Sequence, residues 1–284
     1  MPELPEVETI VRDLDKKLKN KKLVAIDSRD KKVFQLSRKE LKNLLGKKVI
    51  AVRRRAKMIV FDFGGYYLII HLKMTGQLVL KTKTGWLAGG HPILNKSGGL
   101  PNKFSRVIFK FNDGSRLFFN DIRRFGWIKL IDKDEFLKFN LGLGIEPLSS
   151  DFTLEYFKQV LERRKRIKIK QALLEQKYLA GIGNIYADES LYAARLRPFR
   201  RVRTLKPAEI KRLWLTIPRI LTLAIKHRGT SFSDYVDARG EQGNFIKYLK
   251  VYGRAGEKCG NCGGFVKKIK LAGRGTHWCD SCQK

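Results

Sequence analysis

The sequence predicts an α+β protein in three parts: a strand-rich amino-terminal half led by one helix, a helical middle, and a small carboxy-terminal module built on cysteines. Three observations carry this. Apolar residues recur at helical spacing at the chain start. Runs of β-branched and aromatic residues, separated by turn residues, then continue to about Ile131. All four cysteines fall in the last 26 of 284 residues. At roughly 150 residues per domain, the length suits two domains with such a module.

The elements follow in order. Val7, Ile10, Val11 and Leu14 share one face of a helix opened by Pro5, with acidic residues at its positive end. Val49 to Phe63, Tyr66 to Met74 and Arg106 to Asn120 read as strands, and Asn112-Asp113-Gly114 as a hairpin turn. Several such strands with short turns imply a sandwich or a barrel. Lys83 to Asn102, rich in Gly, Pro, Asn and Ser, reads as an exposed loop in which His91 and Trp86 serve local packing. A boundary is expected at Asn140 to Pro147. Beyond it helical periodicity runs from Thr153 to Lys226, and Val251 to Lys284 forms the last module.

Charge narrows the function. Sixty Lys and Arg against 27 Asp and Glu leave a formal net charge of +33, so a polyanion is the expected partner: nucleic acid first, an anionic membrane surface second. No apolar run reaches the ~20 residues of a spanning helix. The acidic start lacks the apolar core of a secretory signal. Four clustered cysteines are too few for a disulfide framework. A cytosolic protein is expected.

Cys259-Gly-Asn-Cys262 and Cys279-Asp-Ser-Cys282, separated by 16 residues, have the spacing of a four-cysteine zinc site. Four protein ligands leave no open position, so the metal is expected to fold the basic hairpin carrying Lys267, Lys268, Lys270 and Arg274 and to do no chemistry. Upstream, Ile169 to Leu179 and Ile185 to Leu196 read as helices broken at Ala180-Gly-Ile-Gly-Asn184. Asn184 is the candidate N-cap, and the new helix start suits a phosphate. Arg163, Arg164, Lys165, Arg166, Lys168 and Lys170 precede it; they fit either a backbone-contacting surface or a solvated basic face.

The chain start admits a chemical reading. Removal of Met1 would leave Pro2 with a free secondary amine, able to attack a sugar aldehyde carbon and form an iminium. Glu3 and Glu6 beside it could transfer protons or orient water. Pro and Glu are also ordinary residues for a helix start.

Met1-Pro-Glu-Leu-Pro-Glu-Val-Glu8, Asn120-Asp-Ile-Arg-Arg-Phe-Gly126, Ala180-Gly-Ile-Gly-Asn-Ile-Tyr-Ala-Asp-Glu189, Val251-Tyr-Gly-Arg254 and the double CxxC occur together and in order. In this the chain resembles the formamidopyrimidine-DNA glycosylase family over essentially its whole length. The resemblance implies an amino-terminal β-sandwich (1–140), a helix–two-turn–helix domain (141–246) and a zinc finger (247–284), with damaged duplex DNA in the cleft between. It implies a monomer, bacterial and cytoplasmic, with one structural zinc. It implies base-excision repair: removal of 8-oxoguanine and formamidopyrimidines, then β,δ-elimination at the abasic site.

The roles it implies are these. Pro2 is the nucleophile at the sugar C1′, Glu3 the acid that helps open the deoxyribose, and Glu6 positions a water. Lys57 contacts phosphate and assists β-elimination, and Arg274 serves δ-elimination. Arg166 and Asn184 contact phosphate, and Lys170 and His71 join them as DNA-binding residues. Met74, Arg123 and Phe125 fill the hole left by the flipped base, with Arg123 also contacting DNA. Phe104 stands where the family often has a DNA-contacting histidine, which leaves Lys103 or Arg106 to take over that contact. The segment Thr230 to Phe245 resembles the family's lesion-capping loop. A sister group acting on oxidised pyrimidines typically starts Met-Pro-Glu-Gly-Pro; Leu4 favours the purine branch. A non-enzymatic zinc-ribbon DNA binder would share the charge and zinc but has no use for a free amine at Pro2.

Overall fold

The computed structural model describes residues 1–91, 99–230 and 244–284, which group into two compact units: residues 1–141 with the described part of 227–246, and residues 142–226 with 247–284.

In the first unit, helix α1 (Leu4–Leu18) buries the stripe foreseen from its spacing, Val7, Ile10, Val11 and Leu14. Then come β1 (Leu23–Ser28), the short α2 (Arg38–Leu44), β2 (Ala51–Arg55), β3 (Met58–Asp62), β4 (Tyr66–His71), β5 (Gly76–Thr82), β6 (Gly85–Gly90), β7 (Ser105–Phe111), β8 (Arg116–Asp121), β9 (Trp127–Asp132) and α3 (Lys133–Leu141). All pairings are antiparallel. One sheet has the order β1-β7-β8-β5-β6, the other β2-β3-β4-β9. Two sheets rather than one closed ring make this a sandwich. Alternation puts Ile59, Phe61, Leu68 and Ile70 of one sheet and Leu78, Leu80, Phe109 and Phe119 of the other into a single core shared with α1. The Asn112-Asp113-Gly114 turn joins β7 to β8, with Gly114 at φ +84°.

Part of the expected loop at 83–102 is strand. β6 pairs with β5 from Thr82↔Gly85 to Gln77↔Gly90. Its last two glycines are required by close approach: a Cβ on Gly89 would lie 2.6 Å from Ile10, and one on Gly90 2.4 Å from the Gly76 carbonyl. Trp86 points largely to solvent, so it does not serve packing as expected.

The second unit holds α4 (Leu154–Arg163), α5 (Ile169–Leu174), α6 (Asn184–Ala193), α7 (Pro207–Lys226) and the hairpin β10 (Val266–Leu271) and β11 (Arg274–Cys279). Both central helices are shorter than their periodicity suggests. The chain leaves α5 at Leu174 because Gln176 turns inward. Its amide donates to the Leu174 and Ile182 carbonyls and accepts from Gly181 N–H, stapling the two-turn connection. The cysteine module packs within this unit. Residues 227–230 group with the first unit, where Thr230 bonds Glu6 and Arg228 pairs with Asp13. Among the described residues no helix is long and apolar enough to cross a membrane.

Candidate functional site

At the chain start Pro2 is buried and Met1 half exposed. Glu3 and Glu6 form a reciprocal capping box at the head of α1, Glu3 N–H donating to Glu6 Oε2 at 2.9 Å. Both carboxylates are almost fully buried. Glu6 Oε1 also accepts from Thr230 N–H at 2.8 Å and from its hydroxyl at 3.1 Å. Glu6 is therefore an anchor between α1 and the segment at Gly229-Thr230.

Lys57 is not on a strand face. It occupies the two-residue turn of the β2–β3 hairpin, where Arg55 faces Met58 and Ala56 takes φ +53°, and it is only 7% exposed. Its ammonium lies near His71 at the end of β4. Burial, followed by the charges of Lys73 and Lys57, pushes the His71 imidazole down to about 3, so it is neutral in any working buffer. Neutral Nδ1 accepts from Lys73 N–H at 2.9 Å, which leaves Nε2 carrying the proton.

The Asn120-to-Gly126 motif builds a braced corner between β8 and β9. Asp121 accepts from Thr75 Oγ1, from Arg123 N–H at 3.2 Å and from Gly126 N–H at 2.7 Å. Gly126 can carry no side chain, because a Cβ would meet Phe119 at 2.6 Å. Arg124, at φ +58°, grips Asp30 with two hydrogen bonds of 2.6 and 2.9 Å, and this grip holds the Asp30 carboxyl below its ordinary range. The brace turns Met74, Arg123 and Phe125 outward together. Met74 and Phe125 are 50% and 49% exposed, the Arg123 guanidinium lies 4.5 Å from the Phe125 ring centre, and it reaches Met74 Sδ at 4.0 Å. Two exposed apolar side chains flanking a cation, on a rigid corner, have the composition needed to replace a stacked base. Next to this, half-buried Phe104 carries Lys103 Nζ 5.2 Å from its ring centre. Arg106 is occupied by the Asp121 and Lys103 carbonyls, so Lys103 is the cation presented to solvent.

In the second unit Arg166 is exposed between α4 and α5. Lys170 is not a surface cation. It is 1% exposed, 2.6 Å from Asp188 Oδ1, and donates to Thr276 Oγ1 at 2.8 Å and the Gly275 carbonyl at 3.1 Å. The expectation that Lys170 binds DNA is thus overturned: its ammonium is consumed inside the unit. Asp188 Oδ2 in turn accepts from His277 N–H at 2.9 Å. Asn184 is the first residue of α6 rather than its cap, which is Gly183, and its amide donates to the same Gly275 carbonyl at 2.9 Å. These bonds lock the β10–β11 hairpin onto α5 and α6, and Arg274 stands exposed at its tip, after the left-handed Ala272-Gly273 turn. Sequence reasoning missed Asp188 and Glu189. Glu189 accepts from three consecutive backbone N–H groups, Lys250, Val251 and Tyr252, and burial nevertheless pushes its carboxyl up. The signal was two adjacent acids in a helix whose neighbours are all apolar or small.

The four cysteine sulfurs lie within 4.8 Å of one another, with Cys259–Cys282 at 3.8 Å and Cys262–Cys279 at 3.5 Å. Sulfurs 2.3 Å from a tetrahedral zinc would be about 3.8 Å apart, so the cage fits one zinc ion.

Comparison with known proteins accounts for the chain end to end. Residues 1–128 match the formamidopyrimidine-DNA glycosylase N-terminal domain, 143–236 the H2TH domain of that glycosylase, and 256–284 the zinc finger found in FPG and IleRS. Formamidopyrimidine-DNA glycosylases of Pelotomaculum thermopropionicum and Rickettsia canadensis are each 41% identical, over 92% of this chain and 91% and 92% of theirs. Among solved structures, a Lactococcus lactis FPG mutant in complex with Fapy-dG-containing DNA superposes with a TM-score of 0.87 at 36% identity. The Lactococcus lactis Fpg bound to DNA with an abasic site gives 0.85 at 35%; both cover 100% of each chain. The chain belongs to the formamidopyrimidine-DNA glycosylase family.

Proposed function

We propose that this protein is a base-excision-repair DNA glycosylase and AP lyase that removes oxidised purines, acting as a cytoplasmic monomer through a Schiff base on Pro2. With Met1 removed, the Pro2 nitrogen attacks C1′, and the bond from C1′ to the damaged base breaks with its electron pair leaving on the base. Glu3 supplies the proton that lets the deoxyribose oxygen depart, giving the iminium. Lys57 serves the β-elimination and Arg274 the second elimination. Arg166, Asn184 and Lys103 take phosphates, with Lys103 in place of the histidine the family often carries. Neutral His71 offers its Nε2–H. Met74, Arg123 and Phe125 enter the stack as the base leaves it. Zinc, held by the four cysteines, supplies folding free energy and no chemistry.

The observation that supports this reading best is the pairing of a buried proline and carboxylate at the chain start with a braced corner of exposed Met, Arg and Phe in the same unit. The test is borohydride trapping on duplexes carrying 8-oxoguanine, formamidopyrimidine or thymine glycol. Processed protein should be trapped through its amino terminus and should cut the purine lesions first. A chain with Pro2 blocked by retained Met1 should neither excise nor be trapped; equal trapping of the two forms would refute the nucleophile. Fastest cleavage at thymine glycol would refute the purine preference.

A further inference from the structure

The hydroxyl of Tyr192 lies 3.3 Å from Cys259 Sγ. Tyr192 belongs to α6, outside the cysteine module, and its ring packs on the small cluster of Val251, Cys259, Val266 and Cys279. A zinc-bound thiolate has no proton to give, so in the loaded protein the phenol must be the donor. Asn261 makes a comparable contact, Nδ2 to Cys282 Sγ at 3.3 Å, but from an exposed position within the CxxC turn itself. The two bonds differ in what they join. Asn261 joins the two CxxC turns to each other within the module, whereas Tyr192 ties the metal cage to the helix that begins at Asn184.

From this geometry we infer that Tyr192 is a positioning residue for the zinc: its hydroxyl bonds the Cys259 thiolate, holds that ligand in place, and slows loss of the metal. The buried apolar neighbours of the cage are Val251 and Val266, and Tyr192 packs against the same cluster. A hydrogen bond to a thiolate spreads its charge and orients the sulfur lone pairs. Removal of such outer contacts commonly weakens metal sites by 10–100-fold. Because Asn184 and Lys170 both bind the Gly275 carbonyl of the zinc hairpin, a firmer cage also means a firmer placement of that hairpin on α5 and α6.

The experiment uses full-length zinc-loaded protein and two variants, Tyr192→Phe and Tyr192→Leu. Zinc transfer to a chromogenic chelator is followed in time, and the cobalt(II)-substituted forms are compared by their thiolate-to-metal charge-transfer band. Expected is transfer about tenfold faster for both variants. The Tyr192→Phe band should move to lower energy, because a thiolate without its donor gives up an electron more easily. If Tyr192→Phe keeps zinc as long as the parent while Tyr192→Leu loses it, the ring alone matters and the inference fails. An unshifted cobalt band in Tyr192→Phe overturns it as well, and that readout does not depend on how fast metal leaves.

Discussion

The corner at Asn120 to Gly126 and the hairpin at Leu271 to Arg274 both present cations on a short, tight connection, and both are held by a carboxylate. They differ in what lies beneath. The corner sits on the sandwich, whose core joins two sheets and α1, and its braces Asp30 and Asp121 meet exposed Arg124 and backbone N–H groups. The hairpin has a much smaller apolar base: Val266, Leu271 and Trp278 are buried, the last against Phe199. It is held by a zinc cage at one end and, at the other, by the fully buried Lys170–Asp188 pair. A loop on a large core needs only local hydrogen bonds to stay in place. A small module needs bonds whose loss is costly, and metal and buried charge supply them.

Four changes would break or sharpen this contrast. The largest effect is expected from Cys279→Ser. Zinc content should fall from one per chain to none and hairpin amides should exchange freely, while the amides of the sandwich stay protected; coupled loss in both would show that the hairpin is not the dependent partner. Lys170→Met should come next. It strands a buried carboxylate, at a cost of about 3–5 kcal/mol to the second unit. Adding Asp188→Leu should restore much of that stability, measured by denaturant unfolding with hydrogen exchange to assign the transition. At the corner, Met74→Ala should leave folding intact and slow base excision about tenfold, with cleavage at a preformed abasic site changed by less. Equal losses on both substrates would make Met74 a packing residue. The smallest effect is Arg166→Ala, which should reduce the log–log salt slope of DNA binding by about 0.9. No change in slope would mean that Arg166 faces away from the DNA backbone.

The contrast also explains what could be seen in the sequence. Helix α1, the β7–β8 turn and the cysteine cage were legible because each is written in local spacing. β6 was not: Gly-Trp-Leu-Ala-Gly-Gly lacks alternation, and its last two glycines answer to Ile10 and Gly76, which are distant in sequence. The end of α5 was hidden because Gln176 acts as a side-chain staple, which periodicity does not report. Lys170 was misread for a related reason. It stands in a basic run whose other members Arg163 and Arg166 are exposed, and its partner Asp188 lies on the next helix. Charge counting finds a basic surface but cannot tell which of its cations is turned inward. Lys57 and the Met74–Arg123–Phe125 cluster needed the family resemblance, since a turn lysine and strand-end apolar residues have no distinctive local pattern.

Gly229 has a consequence that reaches the chain's first residues. It takes φ +79°, and a Cβ there would lie 2.6 Å from Glu6 Oε1. Any side chain would therefore push on the carboxylate that caps α1 beside Pro2 and Glu3. In terms of mutational tolerance, a turn residue 227 positions from Pro2 is as constrained as one in the core. An allele altered at that codon would disturb the head of α1 with Pro2, Glu3 and Glu6 all unchanged in sequence.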